Sequence, residues 1–159
     1  AAAPDTWELA LTALRTMRDD LAPLAENVNP GDLGHAWNIC DLLIKKLQFR
    51  DALVTAYRDN DRAVLQRLCQ CDIPGIIEAL KAVKKSFRRQ WLRRNKPFGM
   101  EVVQIRFAGQ ITRYEETAER IQELLDGRID TIAELDVEIN ASGRPVMFFD
   151  WLMTGSTRI

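Results

Sequence analysis

The sequence lacks the long apolar run that a membrane span requires. A transmembrane helix needs about 20 consecutive apolar residues, and every apolar stretch in these 159 residues is far shorter. The first four residues, Ala1–Pro4, also lack the basic and apolar regions of a signal peptide. We therefore expect no membrane contact and a cytoplasmic location, and we interpret residues 1–4 as an expression-derived or disordered segment outside the fold.

Cysteine and histidine are too few for the sites that they commonly build. The three cysteines, Cys40, Cys69 and Cys71, are an odd number, which argues against a disulfide framework. Cys69 and Cys71 have no second cysteine pair, and His35 is the only histidine, so we predict buried or partly buried structural thiols and neither a metal nor a cofactor. His35 has no evident nucleophile beside it, and an enzyme that uses it is the weakest of three functional hypotheses.

Catalytic motifs and a strong overall charge are missing as well. The chain contains no G-x-G-x-x-G and no phosphate loop. Neighbouring carboxylates such as Glu115 and Glu116 point in different directions on a helix, so we interpret them as solvent-facing charges. The net charge of −1 gives no general reason to expect nucleic acid or an anionic membrane as partner.

What the sequence does contain is helical spacing of apolar residues over nearly its whole length. This spacing predicts an all-α bundle of five to six helices in one domain over residues 1–159. The segment from Val146 to Ile159 is predicted to be an irregular or extended tail. The positions predicted to face the core are Trp7, Leu11, Leu14 and Leu21; Ile39, Leu43, Leu47 and Val54; Val64, Leu65 and Leu68; Ile76, Leu80, Val83, Phe87 and Trp91; Val103, Phe107, Ile111, Tyr114, Ala118, Ile121 and Leu125; and Ile129, Ile132, Leu135 and Ile139.

Four residues mark predicted helix ends. Pro23 is expected to end or kink the first helix because proline removes a backbone donor. Asp32 and Asp61 are expected to cap the two helices that follow them. Gly127 is expected to end the long fifth helix in a left-handed conformation.

The junction between two long predicted helices is the most distinctive part of the sequence. Pro97 keeps the residue before it out of helical geometry, and Gly99 permits backbone angles that other residues resist. We therefore interpret five residues as a structural corner: Trp91, Asn95, Pro97, Phe98 and Gly99.

Beyond this corner, Arg106 and Gly109 lie inside the next predicted helix. Glycine costs about 1 kcal/mol relative to alanine there, which suggests close approach of another backbone or a ligand. Arg106 has two interpretations: a surface residue in a local ion pair, or an interdomain or subsite anchor that holds a carboxylate with both arms of its guanidinium.

The helix before the corner is strongly basic. Its lysines and arginines are Lys81, Lys84, Lys85, Arg88, Arg89, Arg93, Arg94 and Lys96. Such a density suits phosphate groups, and a free-standing helical module that binds nucleic acid or protein through residues 81–96 is our alternative hypothesis. Phe87 and Trp91 lie on the predicted buried stripe, however, which leaves few aromatic rings to stack on bases, so nucleic acid is not the favoured partner.

The corner also carries a family resemblance. The pattern W-x3-N-K-P-F-G-x-E-V-x2-I-R-x2-G, from Trp91 to Gly109, resembles the C-terminal helical domain of bacterial β-N-acetylhexosaminidases of glycoside hydrolase family 20. Ala56–Asp61, Leu125–Leu135 and Trp151–Thr157 resemble other segments of that domain in the same order. The resemblance as a whole covers about Leu33 to Ile159.

The resemblance implies that the chain is a fragment of a larger enzyme. Such enzymes place an adjacent Asp-Glu pair on a (β/α)₈ barrel and remove terminal N-acetylhexosamines from glycans with help from the substrate's own acetamido group. No residue here matches that pair, so none is assigned catalysis. The expected partner is the barrel, with a homodimer contact or the active-site rim as further roles; Arg106, Gly109, Arg113 and Trp151 are the candidate interdomain or rim residues.

Overall fold

The computed structural model describes residues 6–27 and 32–136, and the described residues form helices and turns without a strand. The helices are α1 (Thr6–Asn27), α2 (Asp32–Arg58), α3 (Arg62–Arg67), α4 (Ile73–Arg94), α5 (Met100–Leu125) and α6 (Ala133–Asp136), with a π-helical turn at Leu68–Asp72 between α3 and α4. The predicted all-α fold is confirmed. Trp151, Ile139 and the predicted tail lie outside the described residues.

Helix α2 lies at the centre of the bundle. Helix α1 packs along it, α4 also packs on it, and α5 packs mainly on α4. The core forms where α2, α3, α4 and α5 meet, and α6 approaches it through Ile132. Its most deeply buried side chains are Phe49, Leu53, Leu65, Leu68, Ile73, Ile76, Leu80 and Ile121.

The apolar stripes predicted on α4 and α5 face this core. Ile76, Leu80 and Val83 are buried on α4, and Tyr114 and Ile121 are buried on α5. The remaining predicted positions of these two helices are half-buried. Long helices gain most of their stability from such packing, so the stripes account for the placement of both helices.

The prediction for α2 was wrong. Ile39, Leu43 and Val54 are exposed and Leu47 is half-buried. The buried residues of α2 are instead Cys40, Leu42, Ile44, Phe49, Leu53 and Ala56. Apolar residues occur on nearly every side of α2, because α1 and α4 both pack against it, and spacing alone did not single out one face.

Two of the predicted helix ends are confirmed. The carboxylate of Asp61 accepts a hydrogen bond from the Val64 N–H at 3.0 Å and caps α3. At the end of α5, Gly127 has φ 69°. The N–H groups of Gly127 and Arg128 donate to the carbonyls of Leu124 and Glu123 at 3.1 and 2.9 Å, which is the Schellman arrangement.

The other two predicted ends require correction. Pro23 does not end α1, which continues to Asn27; a kink at this proline, the other predicted outcome, stays a prediction. Asp32 is the first residue of α2 and not a residue ahead of it. Its carboxylate forms an ion pair with Arg94 in the last turn of α4, so it ties two helices together.

Candidate functional site

The corner between α4 and α5 is a tight, hydrogen-bonded turn. Asn95 leaves the helix with φ −131° and ψ 160°, and its N–H donates to the Trp91 carbonyl at 2.7 Å. Gly99 has φ 87°, in the left-handed region, and the Met100 N–H donates to the Pro97 carbonyl at 3.2 Å. The left-handed backbone at Gly99 is the reason that glycine suits this position.

The indole of Trp91 closes the corner from inside. Its Nε1–H donates to the Lys96 carbonyl at 2.8 Å, and its ring lies 3.7 Å from the point where a Cβ on Gly99 would stand. The Trp91 and Phe87 ring centroids are 5.7 Å apart, and Phe87 lies 6.3 Å from Phe107 of α5. A row of rings therefore holds the two helices together behind the turn.

The outer side of the corner is apolar and exposed. Phe98 is 82% exposed, Ile105 71% and Val102 52%, and together with Gly109 they follow helical spacing on the side of α5 away from its buried stripe. Arg106 is exposed beside them. We call Phe98, Val102, Ile105, Arg106 and Gly109 the corner surface.

Neither Arg106 nor Gly109 has a partner inside the described part of the chain. No ion pair joins Arg106 to any described residue, so the local pairing that we considered does not form there. No atom lies within 4 Å of the position that a Cβ on Gly109 would occupy. Close approach of a backbone to Gly109 is therefore not a feature of this domain's interior, and an external partner stays a prediction.

Six of the basic residues around the corner are likewise without ion pairs in the described part of the chain. Lys81 pairs with Glu78 at 2.7 Å, and Arg94 pairs with Asp32. The six exposed side chains left without an ion pair are Lys84, Lys85, Arg88, Arg89, Arg93 and Lys96. We call these six residues the basic array.

His35 has a nucleophile-bearing neighbour that sequence reasoning missed. Its Nδ1 lies 2.8 Å from the Oγ of Ser86, which donates its own hydrogen to the Val83 carbonyl at 2.9 Å. Ser86 is 0% exposed, so no substrate reaches its hydroxyl. Because that hydroxyl's single hydrogen is already donated, Nδ1–H must be the donor in this pair. Burial lowers the pKa of His35, and the pair acts as a polar link between α2 and α4.

Arg113 lies on α5 just beyond the corner surface. It lines a cleft with Leu53, Thr117, Ile121 and Ile132, and its Nε is buried without a hydrogen-bond partner among the described residues. The cleft has a volume of about 40 Å³, whereas ligand pockets measure roughly 300–1,000 Å³. Arg113 lies one turn beyond Gly109 on the same side of α5, but it is half-buried whereas Arg106 and Gly109 are exposed. The cleft is too small for a sugar ring.

Among the described residues no three His, Cys, Asp or Glu side chains cluster as metal ligands would. Cys40 is buried and Cys69 is half-buried, and burial raises the pKa of both thiols, which keeps them protonated and unreactive. Cys71 is exposed, contrary to the expectation of three buried or partly buried thiols. None of the helices formed by the described residues has the length and apolar character needed to cross a membrane.

Among the described residues, the two most exposed large apolar side chains, Phe98 and Ile105, lie at one corner of the helical bundle, and exposed apolar patches mark interaction surfaces. The comparison with family models identifies the class of domain. The model of the Glycoside Hydrolase 20C C-terminal domain matches residues 17–144, and this chain belongs to that family. A search of curated proteins gave no match.

Proposed function

We propose that this chain is the non-catalytic helical domain of a β-N-acetylhexosaminidase and that its corner surface packs on the catalytic domain. The observation that carries the proposal is the exposure of Phe98, Val102 and Ile105 within a chain that belongs to a family of C-terminal domains. The parent enzyme would remove terminal N-acetylhexosamines from glycans, with the bond-breaking residues on its catalytic domain.

The corner surface has the size and composition for such packing. Fully burying an apolar side chain of this size contributes about 1.5–3 kcal/mol, so the three residues together supply on the order of 5 kcal/mol before the costs of association. Arg106 stands beside them with a free planar fork for a carboxylate. Gly109 continues the row without a side chain, and this allows a partner's backbone to approach closely.

The rest of the molecule supports a structural role in place of catalysis. The hydroxyl nearest to the single histidine belongs to Ser86, which is completely buried. The cleft beside Arg113 is too small for a sugar. We therefore expect the purified chain not to hydrolyse an aryl N-acetylglucosaminide, and clear turnover by pure material would overturn the proposal.

A substitution in the full-length enzyme tests the docking surface. Ile105→Asp places a charge in the centre of the corner surface. We expect it to expose the domain junction to protease and to separate one thermal transition into two, because burying an unpaired carboxylate is costly. The matched control is Val54→Asp, which changes an exposed apolar residue of α2 and should leave both readouts unchanged.

Two results would count against this surface. If Ile105→Asp behaves like both Val54→Asp and the unmodified enzyme, the corner is not buried in the whole protein. A loss of dimer by Ile105→Asp with an intact domain junction would assign the surface to a second copy of the chain instead.

A further inference from the structure

We infer that the catalytic-domain surface that meets the corner is an apolar patch bordered by carboxylates, and that the basic array forms ion pairs with that border. This inference rests on the proposed function and adds the chemistry of the partner. It assigns a role to the basic residues of α4, which neither the core nor the corner turn uses.

The first argument is the segregation of charge along the chain. Residues 81–100 contain eight of the 22 lysines and arginines and none of the 23 acidic residues. The chain as a whole carries a net charge of −1, so the remainder is acidic. Like charges at this density repel one another, and opposite charges close by would relieve that repulsion.

The second argument is that the described part of the chain does not provide those opposite charges. Only Lys81 and Arg94 of the eight have an acidic partner, and these partners are Glu78 and Asp32. Glu101 lies just beyond the corner without an ion pair among the described residues. The acidic residues of the second half of α5, such as Glu115 and Glu119, are exposed farther along that helix.

The third argument is the position of the array relative to the corner surface. The contacts of Phe87 with Phe107 and of Trp91 with Gly99 set the register of the antiparallel pair α4 and α5. In this register, residues 84–96 of α4 and the turn run alongside residues 98–108. The array and the apolar row therefore lie along the same stretch of the hairpin, which lets one partner surface with an apolar centre and a charged border contact both.

The aromatic residues favour a protein partner over nucleic acid. Phe87 and Trp91 are in ring contact with each other, and Trp91 donates its indole hydrogen to the corner backbone, so neither is available to stack on a base. Phe98 is exposed but shares its row with Val102 and Ile105. An apolar row of this kind matches an apolar protein surface, and the cations then select a partner with carboxylates at its edge.

The test uses the full-length enzyme and a carbodiimide that joins lysines to carboxylates without a spacer. We expect Lys84, Lys85 or Lys96 to form cross-links to Asp or Glu residues that precede this chain in the sequence. The cross-links should weaken strongly at about 1 M salt, where the screening length falls to roughly 3 Å. Links confined to acidic residues of this chain would overturn the inference.

Paired triple variants provide the second readout. Changing Lys84, Arg88 and Arg93 to Gln should raise the rate of protease cleavage at the domain junction about tenfold at low salt, since exposed ion pairs each contribute a few-fold. The control changes Arg15, Arg58 and Arg67, which are exposed cations outside the corner, to Gln. It removes the same charge and should stay within about twofold.

The outcomes separate this inference from the proposed function. If Ile105→Asp opens the junction while the corner triple variant does not, the docking surface stands and the acidic border is wrong. If neither opens it, both are wrong. Retention of nucleic acid by the purified enzyme that is lost in the corner triple variant would assign the basic array to nucleic acid and overturn the inference.

Discussion

The two halves of α5 have the same apolar spacing on the side that faces the core. They differ in that the first half also carries exposed apolar residues on its outer side. In the second half, Tyr114 and Ile121 are buried, and the Tyr114 ring meets Phe49 edge-on at 5.8 Å. In the first half, Val102 and Ile105 form an additional apolar row that faces outward. The second half uses its apolar residues for folding. The first half has more of them than the described core buries, and this surplus is what supports the proposed docking surface.

The largest expected effect comes from breaking the buried half. Ile121→Ala should lower the free energy of unfolding by about 2–5 kcal/mol, because it leaves a cavity among side chains that do not fully relax. Ile105→Ala should change it by no more than about 0.5 kcal/mol, as is usual for exposed positions. Chemical denaturation of this chain measures both. Similar losses for the two variants would contradict the contrast between the two halves.

The corner that begins the exposed half is the next most sensitive place. Gly99→Ala should lower the free energy of unfolding by roughly 1–2 kcal/mol, because φ 87° is a left-handed conformation that a side chain disfavours. The same denaturation experiment measures the loss. An unchanged midpoint would mean that the turn does not require this backbone conformation.

Gly109→Ala sharpens the comparison because we expect its effect on stability to differ between this chain alone and the full-length enzyme. In this chain alone it should raise stability by up to about 1 kcal/mol, since alanine is the better helix former and no atom obstructs its Cβ. In the full-length enzyme the same change should weaken docking if a partner backbone lies close to Gly109. Thermal unfolding of the two proteins side by side distinguishes these effects.

The smallest expected effect is on the pH dependence of stability, and it arises from His35 in the polar pair between α2 and α4. Burial lowers the pKa of His35 below its usual value of 6.5, although the nearby Asp32 opposes this shift. The unfolded chain therefore takes up a proton more readily than the folded chain, and stability should decrease as the pH falls below about 6.5. In His35→Gln this dependence should be absent between pH 7 and pH 5. A slope that persists there would assign it to other groups.

Much of the fold was predictable because it depends on local spacing. The stripes of α4 and α5, the cap at Asp61 and the left-handed Gly127 all follow from residues within one or two turns of each other. Helix α2 was predicted wrongly because it has neighbours on several sides, and only their placement decides which of its apolar residues are buried. Pro23 was expected to end or kink α1, and the helix continues past it to Asn27.

The candidate site likewise combines features that were predictable from the sequence with features that were not. Pro97 and Gly99 predicted a corner from their own backbone preferences. That Trp91 closes this corner through the Lys96 carbonyl depends on how the turn folds back on the helix. Sequence reasoning grouped Arg113 with Arg106 and Gly109 as interdomain candidates, and all three lie on α5. Only the structure shows that Arg113 is half-buried beside a cleft whereas the other two are exposed. The pairing of His35 with Ser86, 51 positions apart, had no signal in the sequence.

By itself, the sequence determined the helical class, two of the four predicted helix ends, the corner and the family to which the chain belongs. These depend on hydrogen bonds, backbone preferences and apolar spacing within a few residues. Only the tertiary structure decided which apolar residues remain uncovered. The inward and outward rows of α5 have similar side chains, and burial depends on which neighbouring helices extend far enough to cover them. No described helix covers the outward row at the corner, and this is the basis for proposing that the rest of the enzyme does.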